Sequence, residues 1–288
     1  MKNDKPFLTI GMATYDDYHG VYFSIQALRM YHKEVMDEVE FIIVDNNPKG
    51  THGAELRKLT DWISNVRYVP EEKWVSTAVR NKIFEEAKGE FVMSMDCHVL
   101  FEQGSIKKLI NYYKQNLNTK DLYQGPMVYD DLTGISTHFK PEWRSQMYGV
   151  WDTDDRGRDS NGEPFEIPMQ GLGMFSCRKE AWLGFNPLFN GFGGEEGYIH
   201  EKFRQAGNKC WCLPFLRWVH RFARPDGVQY PLTLENKIKN YFYGHIELGW
   251  DIKPIYEHFT QVYGTTEDDV KKMHDFCIEE IEKQKTAQ

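Results

Sequence analysis

Two near-continuous apolar runs, residues 40–45 (EFIIVD) and 90–95 (EFVMSM) with Asp96 directly after, constrain this chain more than any other feature. A β-branched or apolar run without a polar face has no solvent side, so each reads as a strand covered on both faces, as in a parallel sheet. Further strands are expected at residues 7–13 and 66–69. Helical spacing marks 20–31, 54–64, 77–87 and 103–116. Alternation of this kind predicts a mostly parallel, doubly wound α/β sheet with right-handed crossovers. Ligands bind at the carboxyl ends of the strands in such sheets. Two of those ends carry acids, Asp45 and Asp96, which are either ligand-facing groups or simple turn-initiating aspartates.

Beyond the first half the pattern changes. Residues 128–166 are polar with scattered aromatics and read as a long loop, of the kind that forms lids or disordered segments. Residues 169–176 (MQGLGMFS) restore a strand, 178–182 form one helical turn, and 184–196 make a Gly/Pro-punctuated loop. A helix over 197–207, a strand over 209–214 and the segment 217–222 containing His220 follow. The tail reads as helices over 232–259, broken near Lys253-Pro254, and 266–283, the latter capped by Thr265 or Thr266 with Asp268 and Asp269 in its first turn.

The 288 residues, 41% hydrophobic and 27% charged, have the makeup of a folded globular protein and exclude a disordered or collagen-like chain. Formal charge is 35 − 43 = −8, which argues against bulk electrostatic binding of a nucleic-acid duplex. No run of 18 uncharged apolar residues predicts a membrane span, and the first 17 residues read as the lead-in to a strand and not as a secretory signal. Five irregularly spaced cysteines without a CxxC pair signal neither a disulfide framework nor a zinc site. The basic residues Lys202, Arg204, Lys209, Arg217, Arg221 and Arg224 read as a solvated face or, more sharply, as a phosphate-contacting surface. Trp74, Trp151, Trp182, Trp211 and Trp218 are either core or flat cleft walls.

Asp96-Cys97-His98 is the strongest chemical signal. In extended chain, residues i and i+2 point to one side, so a carboxylate and an imidazole emerge together past a strand end. They form half of a mixed O/N site for a divalent cation. His220 is the best candidate for a third ligand. His19, His52, His138, His200, His245 and His258 lie on helices or turns without a comparable setting. Gly193-Gly194-Glu195-Glu196 is the second signal: glycines allow close approach of the backbone, and two acids then open a helix. Either acid serves the helix as a capping charge or faces a substrate.

In its order of motifs the sequence resembles family 2-type glycosyltransferases of the GT-A fold, and its second half is similar to the catalytic domains of polypeptide N-acetylgalactosaminyltransferases. LTIGMATYD and FIIVDNN resemble the first two strand motifs, and residues 79–90 (VRNKIFEEAKGE) resemble the helix before the metal motif. Asp96-x-His98 resembles the DxH form of that motif. Residues 193–196 resemble the acceptor-side WGGE motif, with Phe192 where Trp is common, and His220 matches the distal metal histidine. The likeness spans about residues 7–222, and the tail from 229 matches no motif.

The resemblance implies a Rossmann-like GT-A sheet flanked by helices with a helical C-terminal tail. It divides the chain into a nucleotide-sugar-binding half (1–125), an acceptor-binding half (126–228) and a helical extension (229–288). It further implies a UDP-sugar donor bound with Mn²⁺ or another divalent cation on Asp96, His98 and His220. Thr14, Tyr15, Asp16 and Asp45 would hold the nucleoside, and Arg80 would pair with a phosphate or with Asp45. Glu195 and Glu196 would face the acceptor, Glu196 as general base if the reaction inverts, or both as orienting groups if it retains. The acceptor stays open among a saccharide, a protein hydroxyl and a hydroxymethylated nucleobase in DNA. A cytoplasmic enzyme of bacterial or viral origin is expected. A metal-dependent hydrolase using the same Asp/His/His set, or a non-catalytic nucleotide-sugar-binding module, are the competing functions.

Overall fold

The computed structural model describes residues 5–74, 76–223 and 227–286, so Arg224 lies outside the described residues. The first half alternates β1 (Leu8–Thr14), α1 (Tyr18–Tyr31), β2 (Val39–Asp45), α2 (Gly53–Trp62), β3 (Val66–Pro70), α3 (Arg80–Glu86) and β4 (Phe91–Asp96). A turn through Cys97 and His98 leads into β5 (Val99–Phe101), α4 (Ser105–Gln115), β6 (Leu122–Gln124), β7 (Met127–Val128) and β8 (Ile135–Ser136). Then come β9 (His138–Arg144), β10 (Met147–Asp152), β11 (Phe165–Glu166) and β12 (Met174–Arg178). The chain ends in α5 (Glu195–Gln205), β13 (Cys210–Cys212), β14 (Trp218–His220), α6 (Leu234–Leu248), α7 (Lys253–Tyr263) and α8 (Glu267–Thr286).

The central sheet has eight strands in the order β11-β13-β6-β12-β4-β1-β2-β3. β4, β1, β2 and β3 are mutually parallel, and β12 and β11 run against the other six. All seven residues of β2 are buried. Its side chains alternate between two cores: Phe41 and Ile43 enter one with Leu8, Ile10 and Trp218, while Ile42 and Val44 enter the other with Phe175, Phe203 and Phe242. That is the expected doubly wound, mostly parallel sheet. α1 buries Val21, Ser24, Ile25 and Leu28 along one stripe, and Asp17 caps it by accepting from the Gly20 amide at 2.9 Å. The C-terminal helices belong to the same body, because Phe242, Ile255, Phe259, Val270 and Cys277 lie in the core that contains Ile42.

A second, four-stranded sheet (β5-β14-β7-β8) stands beside the first. Its antiparallel β5–β14 pair puts His220 opposite Val99. Trp218, 1% exposed, joins the two sheets, with its indole N–H donating to Gly125 O at 2.8 Å. Gly173 lies so close that a Cβ there would stand 2.9 Å from the Trp218 ring and 3.2 Å from His220.

Several boundaries differ from the sequence expectation. Residues 128–166 are not a featureless loop: β9 and β10 pair as a hairpin, and most of their side chains are half-buried or exposed, so no apolar face was there to read. The strand expected over 169–176 is β12, starting at Met174, and the helix expected from 197 begins at Glu195. The expected 232–259 helix is two, ended by Gly249 at φ 68° and restarted with Pro254 in the first turn of α7. Thr266 caps α8 as expected, its hydroxyl accepting from the Asp269 amide at 3.1 Å. All five cysteines are buried and none forms a disulfide. Among the described residues no helix is long and apolar enough to cross a membrane. Trp218→Ala removes the ring at the junction of the two sheets and is expected to cost about 3–5 kcal/mol, as for other buried Trp truncations, measured by urea unfolding. A loss below about 1 kcal/mol would show that the junction does not depend on it.

Candidate active site

Parallel register sets the site. Thr14 pairs with Asp45 and Ala13 with Asp96, so the three strand ends open on one edge. A cleft of about 530 Å³ lies there, walled by Thr14, Tyr15, Asp16, Asp17, Arg80, Asp96 and His98. Asn46, Thr51 and His52 from the loop after β2, and Gly191, Phe192 and Tyr230 from the second half, complete it.

Asp96 is the hub. Its Oδ1 accepts from the Arg80 guanidinium at 2.8 Å, which leaves Oδ2 facing two imidazoles, His220 Nε2 at 3.3 Å and His98 Nε2 at 3.9 Å. Burial alone would raise the Asp96 pKa, but Arg80, His220 and His98 outweigh it and hold the carboxyl well below the usual carboxylate range. The two rings meet edge to face with centroids 4.8 Å apart. Ligand atoms of Asp96, His98 and His220 all lie within 4.8 Å of one another. One carboxylate oxygen and two imidazole nitrogens converging in this way are a donor set suited to a divalent cation of mixed O/N preference, so these residues fit Mn²⁺. The expected trio is thus brought together, although Asp96 and His220 are 124 residues apart in the chain.

Asp17, which the sequence reading passed over, lies on the far side of His98. Its Oδ2 accepts from His98 Nδ1 at 3.3 Å, Arg221 at 3.1 Å and the Cys97 thiol at 3.4 Å. Burial pushes its pKa up, but the hydrogen bonds from His98, the Gly20 amide and Cys97 win and keep it ionised. The only sequence signal was its place as helix cap directly before α1.

Thr14, Tyr15 and Asp16 line the cleft as expected. Asp16 sits at φ 52° and is bound by the β2 loop, its Oδ2 accepting from Asn47 at 2.7 Å and its carbonyl meeting His52 Nδ1 at 2.7 Å. Asp45 is buried beneath the wall instead of on it. Its Oδ1 accepts from the Asn47 amide and its Oδ2 from the Tyr68 hydroxyl at 2.8 Å, and burial raises its pKa. Arg80 therefore pairs with Asp96 and not with Asp45. None of the five tryptophans weighed as core or cleft walls lines this cleft. Trp182, for example, stacks on Phe84 at 4.1 Å.

The two acids of the Gly-Gly-Glu-Glu loop diverge. Glu195, 1% exposed, accepts from the cleft-lining Thr77 at 2.8 Å through Oε1, while its Oε2 is buried with no partner among the described residues. Glu196 lines a separate cavity of about 10 Å³, room for about one water, with Tyr148, Tyr198 and Tyr241. Burial, and then the neighbouring Glu195 carboxylate, raise the Glu196 pKa to about 8. The loop is held from α6, where the fully buried Asn240 accepts from the Asn190 amide and donates to the carbonyls of Asn190 and Gly193, all at 2.9 Å. Gly193 (φ 105°) and Gly194 (φ 91°) take left-handed conformations there, and a Cβ on Gly193 would strike Lys237 at 2.8 Å.

A mostly parallel α/β sheet with this cleft at its strand ends has the architecture of the GT-A class. Many solved structures share it, among them the following two. GalNAc-T7 with UDP, GalNAc and Mn²⁺ superposes with a TM-score of 0.67 at 15% identity, covering 99% of this chain and 58% of its own. The mannosyltransferase PcManGT from Pyrobaculum calidifontis, in complex with GDP-Man and Mn²⁺, gives 0.55 at 14% identity, covering 94% and 75%. This chain therefore spans less than two thirds of the GalNAc-T7 chain. No curated protein sequence matches it. Residues 9–181 match the family model described as glycosyl transferase family 2, and the chain belongs to that family.

The Glu196 environment fixes a pH dependence. Its folded pKa of about 8 lies above the ordinary 4.5, so its stabilising contribution is complete below pH 4.5 and is lost as pH rises through 8. Thermal midpoints of the parent are expected to fall across this window, and Glu196→Gln is expected to flatten the fall. Parallel curves for parent and variant would contradict the assigned environment.

Proposed function

We propose that the chain transfers a sugar from a UDP-sugar to an acceptor hydroxyl, with Mn²⁺ held by Asp96, His98 and His220. The observation that carries this reading is the convergence of Asp96 Oδ2 with the Nε2 atoms of His98 and His220 beside a cleft that Asp96 and His98 wall and that is large enough for a nucleotide sugar. The family membership and the Mn²⁺ and nucleotide-sugar complexes of its two structural relatives support it.

The leaving group is a nucleoside diphosphate, on which negative charge grows as the glycosidic bond breaks. The metal, when bound, supplies fixed positive charge opposite that pyrophosphate. Arg221 lines the same cleft and adds a guanidinium suited to a phosphate oxygen. Arg80 keeps Asp96 ionised and turned so that one oxygen stays available. Thr14, Tyr15 and Asp16 would hold the nucleoside, with Asp45 acting from below by fixing the turn at Asn47. Glu195 is the acid placed to orient acceptor or donor, since it bonds a cleft-lining threonine. Glu196, set apart in its own small cavity, is a poor general base for the cleft. This arrangement favours the reading in which the acids orient the reactants. The acceptor class stays among saccharide, protein hydroxyl and hydroxymethylated nucleobase.

A competing hydrolase would release free sugar from the donor at the same rate with or without acceptors, and a binding module would show no turnover. The test is thermal stabilisation by UDP with and without Mn²⁺. At a hundredfold excess over the dissociation constant, a bound ligand adds about 2.7 kcal/mol. The parent is expected to show a Mn²⁺-dependent rise with UDP that His98→Ala and His220→Ala each abolish. An undiminished rise in either variant would remove the metal assignment.

A further inference from the structure

We propose that Asp17 is the positioning residue of the metal centre: it takes the Nδ1–H of His98 and so fixes the ring with Nε2 turned toward Asp96 and His220. The inference rests on the reading of Asp96, His98 and His220 as metal ligands, and goes beyond it to a residue outside that trio.

The His98 ring spans two carboxylates, one on each nitrogen: Nδ1 stands 3.3 Å from Asp17 Oδ2 and Nε2 stands 3.9 Å from Asp96 Oδ2. A neutral imidazole carries one N–H. If Nδ1 gives it to Asp17, Nε2 carries no proton and offers its lone pair as a ligand on the side of Asp96. A ligating histidine commonly donates its other N–H to a carboxylate, which sets the tautomer, holds the ring and raises ligand basicity. Asp17 and His98 have that relation across 81 residues of sequence.

Asp17 is itself held from several sides. Its Oδ1 caps α1 through the Gly20 amide, and Gly20 has no room for a side chain, because a Cβ would meet Asp17 Oδ2 at 2.5 Å and Cys97 O at 2.6 Å. The first turn of α1 therefore presses directly against the Cys97–His98 turn. Arg221 donates to Asp17 Oδ2 through its guanidinium and to His98 O through its backbone amide at 3.3 Å. Since Arg221 follows His220, the same carboxylate restrains both histidine-bearing segments. A second cation on Asp17, Cys97 and His98, whose ligand atoms also cluster, is disfavoured by this chemistry. It would sit beside the Arg221 guanidinium, and the Cys97 thiol points its donor at Asp17.

The alternative role is a helix cap alone, and Asp17→Asn separates the two. Asn caps as well as Asp, but a single amide oxygen that keeps the Gly20 bond leaves only an NH₂ toward His98. Mn²⁺ affinity is read without turnover, by electron paramagnetic resonance of the free ion, beside the thermal midpoint of the metal-free protein. The expected result is an affinity 10–100-fold weaker in a protein that, metal-free, still unfolds in one cooperative transition. Asp17→Ser, which also caps but is too short to reach His98, is expected to do the same, and it serves if the Asn variant fails to fold. Parent-like Mn²⁺ affinity in the folded variants, with binding lost in His98→Ala, would overturn the positioning role and leave the metal site standing. Parent-like affinity in His98→Ala as well would overturn the metal reading itself.

Discussion

Antiparallel pairing of β5 with β14 closes the gap of 124 residues between Asp96 and His220. Neither histidine would meet the other without it. His98 leaves β4 in the turn that enters β5, and His220 is the last residue of β14, opposite Val99. Trp218 anchors that small sheet to Gly125, and Gly173, by lacking a side chain, lets the strand come close enough. The site therefore depends on the docking of a minor sheet at the strand ends of a major one, while the major sheet alone would supply only Asp96 and the wall formed by Thr14, Tyr15 and Asp16.

Charge is arranged around this junction in alternation. Arg221 faces Asp17, Asp17 faces His98, His98 and His220 face Asp96, and Asp96 faces Arg80, which in turn lies near Glu195. Ion pairs withdrawn from water gain little net stability over apolar replacements. Their presence at the strand ends, beside two cores filled with Ile, Val and Phe, marks a place where the fold accepts electrostatic cost to hold groups at fixed separations. The Gly-Gly-Glu-Glu loop follows the same logic on the other wall. Asn240 and Lys237 of α6 clamp it, so the tail that matched no motif is what keeps Glu195 beside Thr77.

The parts of this picture legible in the sequence were those with a short physical period. β2 and β4 have no polar face, so their burial, their parallel pairing and the acids at their ends could be read directly, and Asp96-x-His98 needed only the alternation of an extended chain. His220 could be proposed but not placed, because its partner strand is three residues long and defined by long-range pairing. Asp45 was expected on the cleft wall. Register puts it at the right edge, but its carboxylate is drawn inward by the Asn47 amide, the turn-initiating role the sequence also offered, and by Tyr68 on the neighbouring strand, a contact no local pattern encodes. Asp17 was overlooked for the converse reason: a helix cap explains it locally, and its link to His98 exists only in three dimensions. The β9–β10 hairpin escaped notice because neither face is buried enough to leave an apolar stripe.

The central claim is that Asp96, His98 and His220 share one cation. Anomalous scattering at the manganese edge, from crystals grown with Mn²⁺ and UDP, tests it most directly. The account predicts a single strong peak enclosed by Asp96 Oδ2 and the Nε2 atoms of His98 and His220, with the pyrophosphate against it. Bound UDP with no peak there, or a peak on other residues, would contradict it.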